Sequence, residues 1–220
     1  MRPFFRFFTR LEIRGLKHVV SLKSPVIFAP NHSGLLDSVL LPLALPFWSG
    51  FSPMFYLTNV YSHFKNKEKF GWLVYILEPS IFKILGAYPT RRGNRDYSLA
   101  LASHIQILND GGSVCVFPEG AITKDGLIGP AHGGVGYLAF KTKRPVVPVL
   151  ISGTYKITLS DIFHHRIKIV IEFCEPVSPD VFGAAEDVDV QSLKKFSENI
   201  LQILRDRQLL SAPQNEGERR

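Results

Sequence analysis

A chain of 220 residues, 45% hydrophobic and 20% charged, is long and apolar enough to fold as one domain around a full core, which excludes a disordered or fibrous polypeptide. Its two cysteines, Cys115 and Cys174, are too few for a disulfide framework, and each lies in an apolar run that predicts a small buried hydrophobe. The net charge of +7 is concentrated in residues 1–100, which hold 13 Lys/Arg against 5 Asp/Glu; such a basic half suits anionic lipid, a phosphorylated cofactor or an acidic carrier protein, and the lack of a recognisable binding motif sets nucleic acid aside.

Residues 1–10 interleave Phe4, Phe5, Phe7 and Phe8 with Arg2, Arg6 and Arg10. Such a stretch either sits at a lipid headgroup boundary or packs its rings on the domain. Its closely spaced charges are unlike a secretory signal peptide. Residues 11–20 read as a short strand and turn, so 1–24 is expected to be a membrane-proximal segment leading into a domain over 25–209. Residues 25–30 predict a buried strand that runs directly into Asn31-His32. Residues 35–45 predict a helix ended by Pro46, and 51–58 a strand. The run 38–64 carries no Lys, Arg, Asp or Glu and could span a bilayer by length. Pro42, Pro46, Gly50 and Pro53 interrupt it, so no transmembrane helix is expected there.

Further on, residues 69–85 are helical in pattern with a kink at Pro79, and 86–91 form a short strand. Residues 96–109 predict an amphipathic helix with Leu99, Ala102, Ile105, Ile107 and Leu108 inward, closed by Asp110-Gly111-Gly112. A buried strand (113–117), a polar loop (119–130), a helix (134–142), two strands (146–151 and 166–173) and a final amphipathic helix (191–209) follow. Residues 210–220 are expected to form a disordered tail. Strands alternating with helices predict the α/β class: a single-domain layered sheet flanked by helices.

Chemistry concentrates where strands end. Asn31-His32-Ser33-Gly34-Leu35-Leu36-Asp37 places a His and an Asp five positions apart at a strand-to-helix junction. Imidazole titrates near neutral pH, and a carboxylate on its other nitrogen fixes the tautomer and stabilises the imidazolium, so the pair is a candidate general base. Five positions on a regular helix lie about 140° apart, so the pair needs an irregular turn, which Ser33-Gly34 can supply. The alternative is structural: Asn31 and Asp37 cap the helix and His32 merely packs. Phe117-Pro118-Glu119-Gly120 ends another apolar strand with an acid. Glu119 there is either a turn acid bonded to nearby amides or a ligand for a polar acceptor. The pair Arg91-Arg92 follows Gly86-Ala87-Tyr88-Pro89-Thr90, and a guanidinium fork suits phosphate. No protein nucleophile accompanies these groups, so the base is expected to activate a substrate hydroxyl. The pair His164-His165 reads as solvated rather than as a metal site.

These pieces, with Val146-Val147-Pro148-Val149, resemble the glycerolipid acyltransferase family in content and order, over residues 26–153. The resemblance implies a glycerol-3-phosphate acyltransferase-like fold and transfer of an acyl group from acyl-CoA or acyl carrier protein to a lysophospholipid hydroxyl, most simply that of 1-acylglycerol-3-phosphate. It implies His32 and Asp37 as the catalytic pair, and Arg92, Glu119 and Gly120 at the acceptor site with Arg91 as the adjacent alternative. No metal or other cofactor is implied. Membrane lipids are the expected partners, and the cytoplasmic face of a bacterial inner membrane the expected location, through peripheral or monotopic attachment. The chain departs from the family's pattern after Phe-Pro-Glu-Gly: Ala121 and Ile122 stand where a hydroxyl residue and an Arg are usual. Lys124 is the available substitute, unless the acceptor headgroup differs. His132 and Gly133 also replace a usual cation. A lipid hydrolase and a non-catalytic lipid-binding relative remain the rival readings.

Overall fold

The computed structural model describes residues 10–22, 25–34, 36–46, 49–51, 54–58, 87–89, 97–157, 161 and 167–211. The expectations placed on residues 1–9, the helix over 69–85, Arg91, Arg92, His164, His165 and residues 212–220 lie outside them. Seven strands form one sheet: β1 (Arg10–Arg14), β2 (Ile27–Pro30), β3 (Met54–Thr58), β4 (Ala87–Pro89), β5 (Ser113–Cys115), β6 (Val146–Ser152) and β7 (Lys168–Phe173). Their order is β1-β7-β6-β2-β5-β3-β4. Every neighbouring pair is parallel except β6 and β7.

The central strands are continuous apolar runs because both faces of the sheet are covered. Successive residues of β2 point to opposite sides. Phe28 joins Leu40, Leu41, Tyr56, Cys115, Val147 and Val149 on one face, whereas Ile27 and Ala29 join Leu108, Val114, Val135, Leu138 and Ile200 on the other. Helix α1 (Lys17–Val20) and α2 (Asp37–Ala44) contribute to the first layer. The second is built by α3 (Tyr97–Ala100), α4 (Ala102–Asn109), α5 (Gly134–Thr142) and α6 (Val190–Ser211). Strand β7, between the edge strand β1 and β6, alternates, with Ile169, Ile171 and Phe173 buried and Lys168 in solvent. Both cysteines are buried free thiols; burial pushes Cys115 well above its ordinary value and Cys174 up to about 11.

Three elements differ from the sequence expectation. The helix over 96–109 divides at Leu101, whose backbone leaves the helical region (φ −111°, ψ 6°). Its inward face is Leu101, His104 and Leu108, while Leu99 and Ala102 face solvent. His104 reaches the core because its Nε2 meets the Tyr56 carbonyl at 3.3 Å, and burial lowers its pKa, favouring the neutral ring. The final helix takes in Leu210 and Ser211, assigned by sequence to the tail, and is started by Asp189, whose Oδ1 accepts the Gln191 and Ser192 amides. The helix after His32 begins only at Asp37, because the residues before it are used by the site. Among the described residues no helix is long and apolar enough to cross a membrane.

Candidate active site

The site forms at the carboxyl ends of β2, β5 and β6, where open α/β sheets place their ligands. Strand β2 pairs with β6 up to Pro30–Val149 and then leaves the sheet. The Asn31 side chain continues the pairing that the departing backbone abandons. Its Oδ1 accepts the Ile151 amide at 2.7 Å, and its Nδ2 donates to the Ile151 carbonyl at 3.0 Å and to Ser33 Oγ at 2.9 Å. Asn31 is therefore a stitch between β2 and β6, not the helix cap considered from sequence. Asn31→Ala should lower stability by about 2–3 kcal/mol, because it strands the buried Ile151 N–H; the midpoint of urea unfolding measures this.

His32 stands next, held at its amide, its carbonyl, its Nδ1 and its ring face. Its amide donates to Glu119 Oε1 at 2.8 Å, and its carbonyl accepts the Thr123 amide at 2.9 Å. The ring stacks on Phe117, centroids 3.9 Å apart and planes 19° from parallel. Nδ1 lies 3.1 Å from Asp37 Oδ2. An ionised carboxylate only accepts, so Nδ1 carries the proton and Nε2 is left as the basic nitrogen. The irregular turn required by the five-residue spacing is present: Asp37 Oδ2 also accepts the Ser33 amide at 2.7 Å and the Gly34 amide at 2.8 Å. Asp37 is fully buried in the first turn of α2, where the helix dipole favours a negative charge. Its Oδ1 has no partner among the described residues.

Glycine is required at two points. A Cβ on Gly34 would stand 2.4 Å from the Thr154 carbonyl oxygen, so the turn between His32 and Asp37 packs directly on the backbone beyond β6. Gly120 has φ +69°, and the space beside it is filled by the His132 ring. Glu119 directs Oε1 to His32 and Oε2 to the Gly129 amide at 2.8 Å. Lys124 is exposed on the same loop, and its carbonyl accepts from the Tyr155 hydroxyl at 2.6 Å. The structure thus brings His32, Asp37, Glu119 and Gly120 together; Arg91 and Arg92 fall outside the described residues.

This arrangement sits within the stretch, residues 10–152, that matches the family model described as Acyltransferase. The chain belongs to the acyltransferase family. It is 29% identical over 151 residues to a chloroplastic 1-acyl-sn-glycerol-3-phosphate acyltransferase of Brassica napus, covering 68% of this chain and 39% of that protein. A counterpart from Arabidopsis thaliana is 28% identical, covering 74% of this chain and 43% of its own length. The chain therefore spans about two fifths of these plant relatives. A probable 1-acyl-sn-glycerol-3-phosphate acyltransferase of Mycoplasma pneumoniae is 24% identical, with 89% of this chain and 76% of that protein covered. The fold matches the crystal structure of a 1-acyl-sn-glycerophosphate acyltransferase from Thermotoga maritima, with a TM-score of 0.62, 24% identity, and coverage of 96% of this chain and 76% of that one.

Several groups that build this acyltransferase-family site carry no local sequence signal. Ile151 lies 120 residues from the Asn31 that binds it. Thr123 reads as an ordinary loop residue, yet its amide holds the His32 carbonyl. Glu198 and Arg205 look like the solvated face of an amphipathic helix, yet both reach the loop beside Glu119. Phe117 was legible as part of the strand-end motif, but not as the surface under the imidazole.

Proposed function

We propose that the chain transfers a fatty acyl group from an acyl thioester to the free hydroxyl of a lysophospholipid, 1-acylglycerol-3-phosphate, in phospholipid biosynthesis. The observation that carries this reading is the His32 Nδ1–Asp37 Oδ2 contact at the strand ends of a chain of this family. The names of its relatives favour the acceptor. Nε2 of His32 takes the acceptor's hydroxyl proton as that oxygen attacks the thioester carbonyl, and Asp37 stabilises the imidazolium. The tetrahedral intermediate collapses by breaking the carbon–sulfur bond, and the departing thiolate receives the proton from Nε2. The protein hydroxyls and thiol nearby are poorly suited to attack. Ser33 Oγ is buried and accepts from Asn31, Thr123 Oγ1 donates to Asp125 at 2.8 Å, and the Cys115 thiol is buried with a raised pKa. A substrate hydroxyl is the remaining nucleophile.

The donor is acyl-CoA or acyl carrier protein. Arg92, Arg91 and Lys124 supply the cations for an acceptor phosphate, and Gly120 lets the backbone pass close to it. The acceptor is a membrane lipid, and the basic first half of the chain suits an anionic surface, so the enzyme works as a peripheral or monotopic protein on the cytoplasmic face of a bacterial inner membrane.

Labelled acyl-CoA and labelled acyl carrier protein, offered separately with lysophospholipids of differing headgroup, test the substrate assignment. The expected result is a labelled diacyl product, formed fastest with lysophosphatidate. Label released only as free fatty acid would replace this reading by the hydrolase. Lipid binding without turnover of any pair would replace it by the non-catalytic relative.

A further inference from the structure

Both oxygens of Glu119 are engaged by main chain, one by His32 and one by Gly129. Gly129 belongs to a stretch that is anchored a second time, from the opposite side. Arg205 of α6 donates through Nη2 to the Gly129 carbonyl at 2.6 Å and through Nε to the Ile128 carbonyl at 3.3 Å. Glu198, seven residues earlier and on the same helix face, accepts the Ala131 amide at 2.8 Å and pairs with Arg205 Nη1 at 2.7 Å. Neither side chain is more than about two-fifths exposed (26% for Arg205, 39% for Glu198). Burial raises the Glu198 carboxyl, and the Ala131 amide and Arg205 outweigh it to leave the group below its ordinary value. Residues 128–131 are therefore gripped by α6 at one side and by Glu119 at the other. Helix α6 lies beyond the family-matched residues 10–152.

We propose that Glu119, Glu198 and Arg205 are positioning residues that tie α6, through the 128–131 backbone, to the main chain of His32, and that Glu119 serves in this way rather than as an acceptor ligand. The clamp fixes the His32 backbone while Asp37 and Phe117 fix its ring. Charge-assisted bonds to main chain are short and directional, so their loss lets the imidazole drift from the attack geometry. The kinetic consequences rest on the acyl-transfer reading above; the clamp itself does not.

Two readouts separate them. Glu119→Gln keeps one acceptor oxygen but turns an NH2 group toward the other amide. Its acyl-transfer kcat should fall about ten- to a hundredfold with the acceptor KM unchanged, whereas an acceptor ligand would show the loss in KM. Arg205→Ala should lower kcat by about three- to tenfold, and the double variant should be no slower than Glu119→Gln alone, because both cut one chain. Independently of turnover, hydrogen exchange at the His32 and Gly129 amides should quicken by about tenfold in both single variants, with Phe28 in β2 unchanged. Arg205→Lys, which keeps the charge and stem but not the fork, carries the same test should the alanine variant fail to fold. Unchanged His32 exchange in the folded Arg205 variant, additive losses in the double variant, or a rise in KM alone for Glu119→Gln would each overturn the proposal.

Discussion

His32→Ala should reduce acyl transfer by about 10³–10⁴-fold while the protein stays folded. In the proposed reaction the ring supplies the basic nitrogen, and the two carboxylates beside it are already engaged: Glu119 by two amides and Asp37 by two amides and the ring itself. The structural cost is small for the same reason. Asp37 keeps the Ser33 and Gly34 amides when the imidazole is removed, so its buried charge is not abandoned, and the His32 backbone bonds to Glu119 and Thr123 do not involve the side chain. What is lost is the Nδ1–Asp37 bond and the stack on Phe117, together about 1–2 kcal/mol. The acceptor KM should move little, since the loss falls on the transition state. Kinetics and a thermal melt on one preparation measure both halves of this result.

Asp37→Asn should be nearly as damaging to turnover and more damaging to stability. The carboxamide can place only one kind of atom against the Ser33 and Gly34 amides. Its oxygen must sit there, because an NH2 group would face two N–H donors. With the oxygen in that position His32 Nδ1 still finds an acceptor, so the tautomer survives and the loss is that of the negative charge opposite the imidazolium. The expected reduction is about 10²–10³-fold, smaller than when a substitution also inverts the tautomer. The amide nitrogen then occupies the position of Oδ1, buried and without a partner among the described residues, which costs about 1–3 kcal/mol. Asp37→Ala keeps neither the acceptor nor the turn and should unfold more readily than Asp37→Asn in the same urea titration.

How far these features were readable depends on whether their partners are local. The His32–Asp37 pair was legible because five residues and one glycine turn contain all of its parts. The central strands were legible because residues such as Ile27–Pro30 and Val146–Val149 are buried on both faces and so carry no polar punctuation. The helix after residue 96 was misread because apolarity was taken to mark the inward face. His104 has a carbonyl waiting for it on β3, a partner 48 residues away, so it goes in, while Leu99 is left in solvent. Asn31 looked like a cap because Asn usually is one beside a helix; its true partner, Ile151, comes from another strand. The alternatives left open for Glu119 illustrate the same limit. A turn acid and an acceptor ligand look alike in sequence, and the amides that Glu119 accepts, those of His32 and Gly129, lie 87 and 10 residues away.

The most direct test of a His32-driven transfer to a lipid hydroxyl follows a labelled acyl group from acyl thioester into product, with lysophosphatidate present and the wild-type protein beside His32→Ala. The expected result is label in the diacyl lipid with wild type and about a thousandfold less with the variant. Equal yields of diacyl lipid from the two proteins would contradict His32 as the base, and label found only in free fatty acid would contradict the lipid hydroxyl as the nucleophile.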